Sequence, residues 1–155
     1  MEELREKDDP DDFTSLVYTV REDGSAMITD YSARFMGDPN SGFGIELTVS
    51  SEINGHPVTA IADGALCEGS MRIFGITLPP AIKEIGNRAI YGRYLKDLKL
   101  NDGLEVIKDY AIDCGDEAIG GEALKSITMP KNLEFWAREY FLARLAKIYL
   151  SNRQT

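Results

Sequence analysis

The residues that could do chemistry in this 155-residue chain are few and scattered. His56 is the only histidine, so triads, histidine-bearing metal sites and imidazole general-base catalysis would all fall on one residue beside Pro57. A turn-lining side chain is the expected role. The acidic stretch Asp113, Asp116, Glu117 and Glu122 lacks the Asp-x-Asp-x-Asp-Gly spacing of a calcium loop and reads as a solvated loop. No phosphate-cradling glycine loop follows a strand, and no insertion that would wall a pocket around paired carboxylates is visible. No constellation of nucleophile, base and orienter emerges, so neither catalysis, a cofactor nor a metal is expected. Two cysteines, Cys67 and Cys114, make neither a disulfide framework nor a ligand set. They are expected two coils apart, about 10 Å at sheet spacing, and therefore unbridged and buried.

Charge narrows the partners. The net charge is −9, and residues 1–12 supply five of those nine charges through seven acids set against Arg5 and Lys7. That segment reads as a disordered acidic tail whose removal leaves stability unchanged. With a sequence pI near 4.6 and no basic cluster counted, nucleic-acid binding is not expected. No apolar run reaches the roughly 20 residues of a membrane-spanning helix, so no membrane insertion is expected. The opening MEELREKDDPDD carries no export signal, so the chain as written reads as soluble and cytoplasmic.

The elements that must position any site are set by an internal repeat. Ile73-Phe-Gly-Ile76-Thr-Leu78-Pro79, Leu95-Lys-Asp-Leu98-Lys-Leu100-Asn101 and Leu124-Lys-Ser-Ile127-Thr-Met129-Pro130 share an L-x-x-L-x-L pattern ending in the period-2 alternation of a strand. A second segment recurs around each. Val58-Thr-Ala-Ile61-Ala-Asp-Gly-Ala65-Leu66, Ile82-Lys-Glu-Ile85-Gly-Asn-Arg-Ala89-Ile90 and Leu104-Glu-Val-Ile107-Lys-Asp-Tyr-Ala111-Ile112 superimpose, with Leu133-Glu-Phe-Trp136-Ala-Arg-Glu-Tyr140-Phe141 as a degenerate fourth copy. Anchors at Ile61, Ile85, Ile107 and Trp136 give periods of 22 to 29 residues, with one strand and one short turn expected per unit. Coils of that length bury their apolar side only by stacking. The ladder Ala65, Ala89, Ala111 marks where coils come closest, so a ring at Ala89 is expected to be worse tolerated than one at Ala26.

These residues resemble the BspA-like leucine-rich repeats, whose pattern runs roughly L-x-x-L-x-L-P-x-x-[VIL]-x-x-I-x-x-x-A-F-x-x-C. Asn54-Gly55-His56-Pro57-Val58 is similar to the segment that leads into the first repeat of that family. The chain departs from the pattern where Leu66, Ile90 and Ile112 replace phenylalanine and Asn101 replaces the strand-ending proline; both cysteines are out of register. The resemblance implies a non-catalytic bacterial recognition protein, at the cell surface or secreted.

The expected fold is an α/β leucine-rich-repeat solenoid, β-rich, with a short parallel sheet of three to four rungs. Residues 1–12 form the tail, 13–57 an N-terminal β cap, 58–133 the repeats and 134–155 a C-terminal capping helix and tail. In the cap, Leu16, Tyr18 and Val20 alternate, Asp23-Gly24 signals a hairpin, Met27 to Tyr31 return, and Ile45, Leu47 and Val49 alternate again after a loop over Gly37–Gly44. Phe141, Leu145, Ile148 and Tyr149 recur at helical spacing. Trp136, Tyr140 and Leu142 widen that stripe, so Trp136, Tyr140, Leu142, Leu145 and Tyr149 are the candidate seam of a homodimer.

The candidate partner-binding face is the outward side of the L-x-x-L-x-L strands: Phe74, Thr77, Lys96, Asp97, Lys99, Lys125, Ser126 and Thr128, with Gly75 among them. A rigid polar surface of this kind suits a protein or glycan ligand, the alternative role being a spacer or assembly unit.

Overall fold

The computed structural model describes residues 2–5, 14–33, 44–67, 72–92, 94–113, 126–128 and 135–136, and every regular element among them is a strand. In chain order they are β1 (Leu4–Arg5), β2 (Thr14–Val20), β3 (Ala26–Ala33), β4 (Gly44–Thr48), β5 (Glu52–Ile53), β6 (His56–Ile61), β7 (Leu66–Cys67) and β8 (Arg72–Thr77). There follow β9 (Glu84–Ile85), β10 (Ile90–Tyr91), β11 (Asp97–Lys99), β12 (Val106–Ile107), β13 (Ile112–Asp113), β14 (Ser126–Thr128) and β15 (Phe135–Trp136).

From β6 to β14, each of three successive coils lays one strand on each of three sheets. An eight-stranded sheet runs β1-β2-β3-β6-β9-β12-β15 with β5 beside β6, a three-stranded sheet runs β7-β10-β13, and a four-stranded sheet runs β4-β8-β11-β14. The expected anchors are in register, Ile61 with Ile85, Ile85 with Ile107, and Ile107 with Trp136, and Ile28, which the repeat did not reveal, pairs with Ile61 ahead of them. So are Leu47, Ile76, Leu98 and Ile127 on the four-stranded sheet and Leu66, Ile90 and Ile112 on the three-stranded one. The aliphatic ladders are buried wherever their side chains are described, and each fully buried Ile or Leu contributes about 2 kcal/mol, an upper figure because unfolded chains are already partly collapsed.

The alanine ladder lies at a corner where the backbone of one coil meets the next. Leu66 N donates to Ala89 O at 2.6 Å and Ile90 N to Ala111 O at 2.8 Å, and Ala65, Ala89 and Ala111 are fully buried. Immediately before each alanine the chain takes a left-handed residue: Gly64 (φ 68), Arg88 (φ 47) and Tyr110 (φ 53). The corner thus needs positive φ in every coil, at roughly 1–2 kcal/mol wherever a Cβ is present. Two glycines answer a different demand. A Cβ on Gly86 would come within 2.6 Å of Asp63 N, and one on Gly103 within 2.7 Å of Pro80 O. Asp63 also crosses between coils, accepting from Asn87 N at 2.7 Å and Asn87 Nδ2 at 3.2 Å, and these bonds hold its carboxyl below the ordinary value of 3.8. Asn101, standing where the repeat pattern has proline, donates through Nδ2 to Pro80 O at 3.0 Å and Ile82 O at 2.7 Å, so the departure ties two coils together.

Several expectations need correcting. The unit has three short strands rather than one strand and a turn, because segments of two residues such as Ile90–Tyr91 are too short for any periodicity to show. Leu4–Arg5 are not tail: β1 pairs antiparallel with β2, Leu4 opposite Tyr18, and Leu4 packs on the core. The hairpin of β2 and β3 forms as expected, its turn fixed by Asp23, which accepts from Ser25 N at 2.9 Å and Ser25 Oγ at 2.6 Å. Yet β3 and β4 also pair in parallel with β6 and β8, so the stacked sheets begin within the expected cap. Ala26 is accordingly as buried as Ala89, and the expected difference between them disappears. Trp136 sits on β15 in line with the anchor ladder. Tyr140, Phe141, Leu142, Leu145, Ile148, Tyr149, Cys114 and the loop 34–43 lie outside the described residues, as does the side chain of Cys67.

Three outcomes follow from this packing. Ala89→Phe lowers the urea midpoint by the equivalent of about 3 kcal/mol, whereas Thr48→Phe on an exposed strand position stays within about 0.5 kcal/mol; equal midpoints would contradict the corner. Gly64→Ala costs about 1 kcal/mol although its methyl meets nothing within 4 Å, since the cost lies in positive φ alone. Asp63 stabilises the fold above its unfolded-state pKa, and that part is lost as pH falls through the depressed folded value. Urea titrations of Asp63→Ala therefore give a deficit of about 1 kcal/mol at neutral pH that closes below about pH 4.

Candidate functional site

On the four-stranded sheet, strand pairing lines up two columns of positions across the coils, between the buried aliphatics. One is Glu46, Gly75, Asp97 and Ser126; the other is Thr48, Thr77, Lys99 and Thr128. The alternation along each strand produces them, since Ile73, Ile76 and Leu78 and their counterparts Leu95, Leu98 and Leu100 are spent on the core. Between the first two aliphatics the pattern has two residues rather than one, and the structure resolves this with a bulge: Ile45 pairs with Ile73 but Glu46 with Gly75, so Phe74 is left over. Phe74 receives the Lys96 ammonium, which lies 5.3 Å from its ring centroid, while Lys96 N donates to Phe74 O at 2.8 Å. A Cβ on Gly75 would stand 2.7 Å from the carboxyl carbon of Glu46, whose flexible side chain lies over this glycine and would have to swing aside.

The structure thus brings together Phe74, Thr77, Lys96, Asp97 and Lys99, and places the backbones of Ser126 and Thr128 in the same columns. Lys125 lies outside the described residues. Sequence reasoning missed Glu46, because nothing in an isolated alternating segment says that it joins this sheet.

The outer side of the eight-stranded sheet is electrostatically different. Glu84 links two cations, its Oε1 bonded to Lys108 Nζ at 2.7 Å and its Oε2 3.9 Å from Arg21, and Lys83 meets Glu105 at 3.3 Å. The Glu84 hydrogen bond raises the Lys108 pKa above 10.5. These five side chains are thus paired with one another across coils. Glu46, Asp97 and Lys99, by contrast, are exposed and Thr77 half-buried, and none of them makes a side-chain hydrogen bond or ion pair with the described residues.

Among the described residues, catalytic or ligating groups do not converge. His56 Nδ1 donates to Gly24 O at 2.8 Å, and its neighbour Asn54 donates to Tyr18 Oη at 2.8 Å. Asn54 (φ 50) and Gly55 (φ 84) form the two-residue turn joining β5 to β6, so His56 belongs to a hairpin that docks on the β2–β3 turn. Among the described residues no group of three or more His, Cys, Asp or Glu side chains could hold a metal ion, and no helix is long and apolar enough to cross a membrane. What this surface carries chemically is the carboxylates of Glu46 and Asp97, the ammoniums of Lys96 and Lys99 and the hydroxyls of Thr48 and Thr77.

Comparison with known proteins bears on the fold. No family model and no curated protein sequence matches the chain. Among solved structures it is similar to the leucine-rich repeat protein of T. pallidum, at 26% identity and a TM-score of 0.61, over 87% of this chain and 56% of that one. It is also similar to a leucine-rich repeat protein from Bacteroides capillosus, at 27% identity and a TM-score of 0.60, over 81% of this chain and 85% of that one. The chain therefore spans just over half the length of the T. pallidum protein. Stacked parallel strands with buried aliphatic and alanine ladders, and these two structural relatives, make the fold that of a leucine-rich repeat.

Proposed function

We propose that this protein is a non-catalytic binding module whose four-stranded sheet captures another protein. The observation that carries the reading is the contrast between the two outer sheet faces: one spends its charges on internal ion pairs, the other holds Glu46, Thr77, Asp97 and Lys99 towards solvent with no described side-chain partner. Exposed charges on a rigid backbone lose little conformational entropy on binding, and complementary charge sets orientation and association rate. The two leucine-rich repeat relatives support a module that presents repeats, and the resemblance to BspA-like repeats supports a bacterial surface or secreted setting.

The double variant Asp97→Ala, Lys99→Ala keeps its urea midpoint within about 0.5 kcal/mol, since both side chains are exposed. Immobilised on a column, it loses proteins that the wild type retains from a bacterial extract, whereas the double variant Lys83→Ala, Glu105→Ala retains them. An unchanged retained set for the first variant would exclude this face. A mass that rises with concentration, reversed by changes at Trp136, would favour an assembly unit instead.

A further inference from the structure

Four places in the chain set an acid or its amide before glycine: Asp23-Gly24, Asn54-Gly55, Asp63-Gly64 and Asp102-Gly103. Such pairs are open to rearrangement, because glycine presents no side chain to keep its nitrogen away from the preceding side-chain carbonyl carbon. What already holds those two groups decides which pair reacts.

Three of the four are held. Asp23 accepts from Ser25 N and Ser25 Oγ, while Gly24 N donates to Arg21 O at 2.9 Å. Asp63 accepts from Asn87 in the next coil, while Gly64 N donates to Asn87 O at 3.0 Å. The bonds from Ser25 and Asn87 keep both carboxyls below the ordinary value, hence ionised, and an amide nitrogen does not attack a carboxylate. Asp102 has an interaction within the fold, and a Cβ on Gly103 would stand 2.7 Å from Pro80 O, so that pair is packed against the preceding coil.

Asn54-Gly55 differs at each point. It is the one Asn-Gly in the chain, and a carboxamide carries a leaving group that a carboxylate lacks. Both residues are exposed at the tip of the β5–β6 hairpin, in the left-handed pair of conformations that a two-residue turn uses. Gly55 N makes no hydrogen bond with the described residues, and nothing lies within 4 Å of where a Cβ would be. Among the described residues the carboxamide is held by one bond, from Asn54 Nδ2 to Tyr18 Oη at 2.8 Å, and the hairpin is held beside it by His56 Nδ1 on Gly24 O at 2.8 Å.

We propose that Asn54 is a site of spontaneous conversion to isoaspartate, gated by the hydroxyl of Tyr18. When the turn opens locally and the carboxamide leaves Tyr18, Gly55 N bonds to Asn54 Cγ. The Cγ–Nδ2 bond breaks, and Nδ2 departs as ammonia with the proton given up by Gly55 N. Water then opens the five-membered succinimide, placing a hydroxyl on one imide carbon and a proton on the nitrogen. Opening at the side-chain carbon gives aspartate; opening at the main-chain carbon gives isoaspartate, with the chain running through Cβ. Isoaspartate lengthens the backbone by one methylene inside a turn of two residues. The Ile53–His56 pairing then no longer closes, which loosens the buried Ile53 and the His56–Gly24 bond. The binding face proposed above lies on another sheet and takes no part.

The full chain is incubated at mildly alkaline pH, then read by peptide mass spectrometry and by an endoproteinase that cuts before aspartate but not before isoaspartate. The Asn54 peptide gains the mass of a hydroxyl replacing an amino group and resists that cut, ahead of Asp23, Asp63 and Asp102. Tyr18→Phe speeds conversion about fivefold, equivalent to one net hydrogen bond of about 1 kcal/mol. Ile85→Val weakens the core away from the hairpin and leaves the rate unchanged. Asn54→Gly, at ease with positive φ, abolishes conversion. Urea midpoints establish that each variant is folded and fall as the wild type converts. Should Tyr18→Phe not fold, His56→Ala frees the same hairpin and must speed conversion instead. A chain that converts in urea but not when folded, or converts first at an aspartate-glycine pair, overturns the proposal. A Tyr18→Phe rate equal to that of the wild type, or matched by Ile85→Val, overturns the gate.

Discussion

The structure depends on one constraint: successive coils must pass within the spacing of hydrogen-bonded strands, about 4.8 Å, at three places in every turn. At that distance each side chain on the inside has its counterpart in the next coil as a neighbour, so a position can hold only a shape that stacks on itself. Isoleucine and leucine do so on the sheet faces, where Ile28, Ile61, Ile85 and Ile107 form one buried column. Alanine does so at the corner, where carbonyls such as Ala89 O and Ala111 O turn to accept from the preceding coil. Enlarging a single member of such a column disturbs two contacts, one above and one below.

The same proximity explains the residues that look irregular. Gly86 and Gly103 are glycine because the preceding coil's backbone fills the space of a Cβ, a demand independent of their φ. Gly64 is glycine for the opposite reason, with open space and a left-handed backbone. Asn101 and Asp63 each spend a polar side chain on backbone groups of the adjoining coil, providing partners at bends where no ladder bond is available. Polar residues at the bends and apolar residues in the columns therefore serve one end, which is to hold neighbouring coils in a single register.

Register is also what the sequence displayed most clearly. The alignment of Ile61, Ile85, Ile107 and Trp136, and of Ile76, Leu98 and Ile127, reappears as strand pairing because repetition states which residues are neighbours without any appeal to local propensity. Where repetition failed, so did the reading. Ile28 precedes Ile61 by 33 residues, and Ala26–Ala33 shares too little with later copies to show that β3 and β4 are already stacked on the first coil. Leu4 was hidden by the acids around it: one apolar residue pairing with Tyr18 leaves no mark in composition. The candidate face was legible only in part. Outward positions follow from period two, but the bulge at Phe74 and the arrival of Glu46 are non-local, and counting charge over the whole chain concealed its reversal in residues 88–99.

That reversal bears on how a repeat protein comes to have a specific surface. Stacking dictates the inner residues of each coil and leaves the outer ones nearly unconstrained, so differences between coils concentrate outside. The eight-stranded sheet uses this freedom to match opposite charges across coils, as Arg21, Glu84 and Lys108 do. In the coil of residues 88–99 cations lie against aromatic rings instead, Arg88 5.7 Å from the Tyr110 centroid and Lys96 5.3 Å from that of Phe74, which holds their side chains against a surface. A held charge binds with less loss of side-chain freedom than a mobile one. Because the inner columns fix where each coil sits, the positions of these charges are set by isoleucines and alanines that no partner touches.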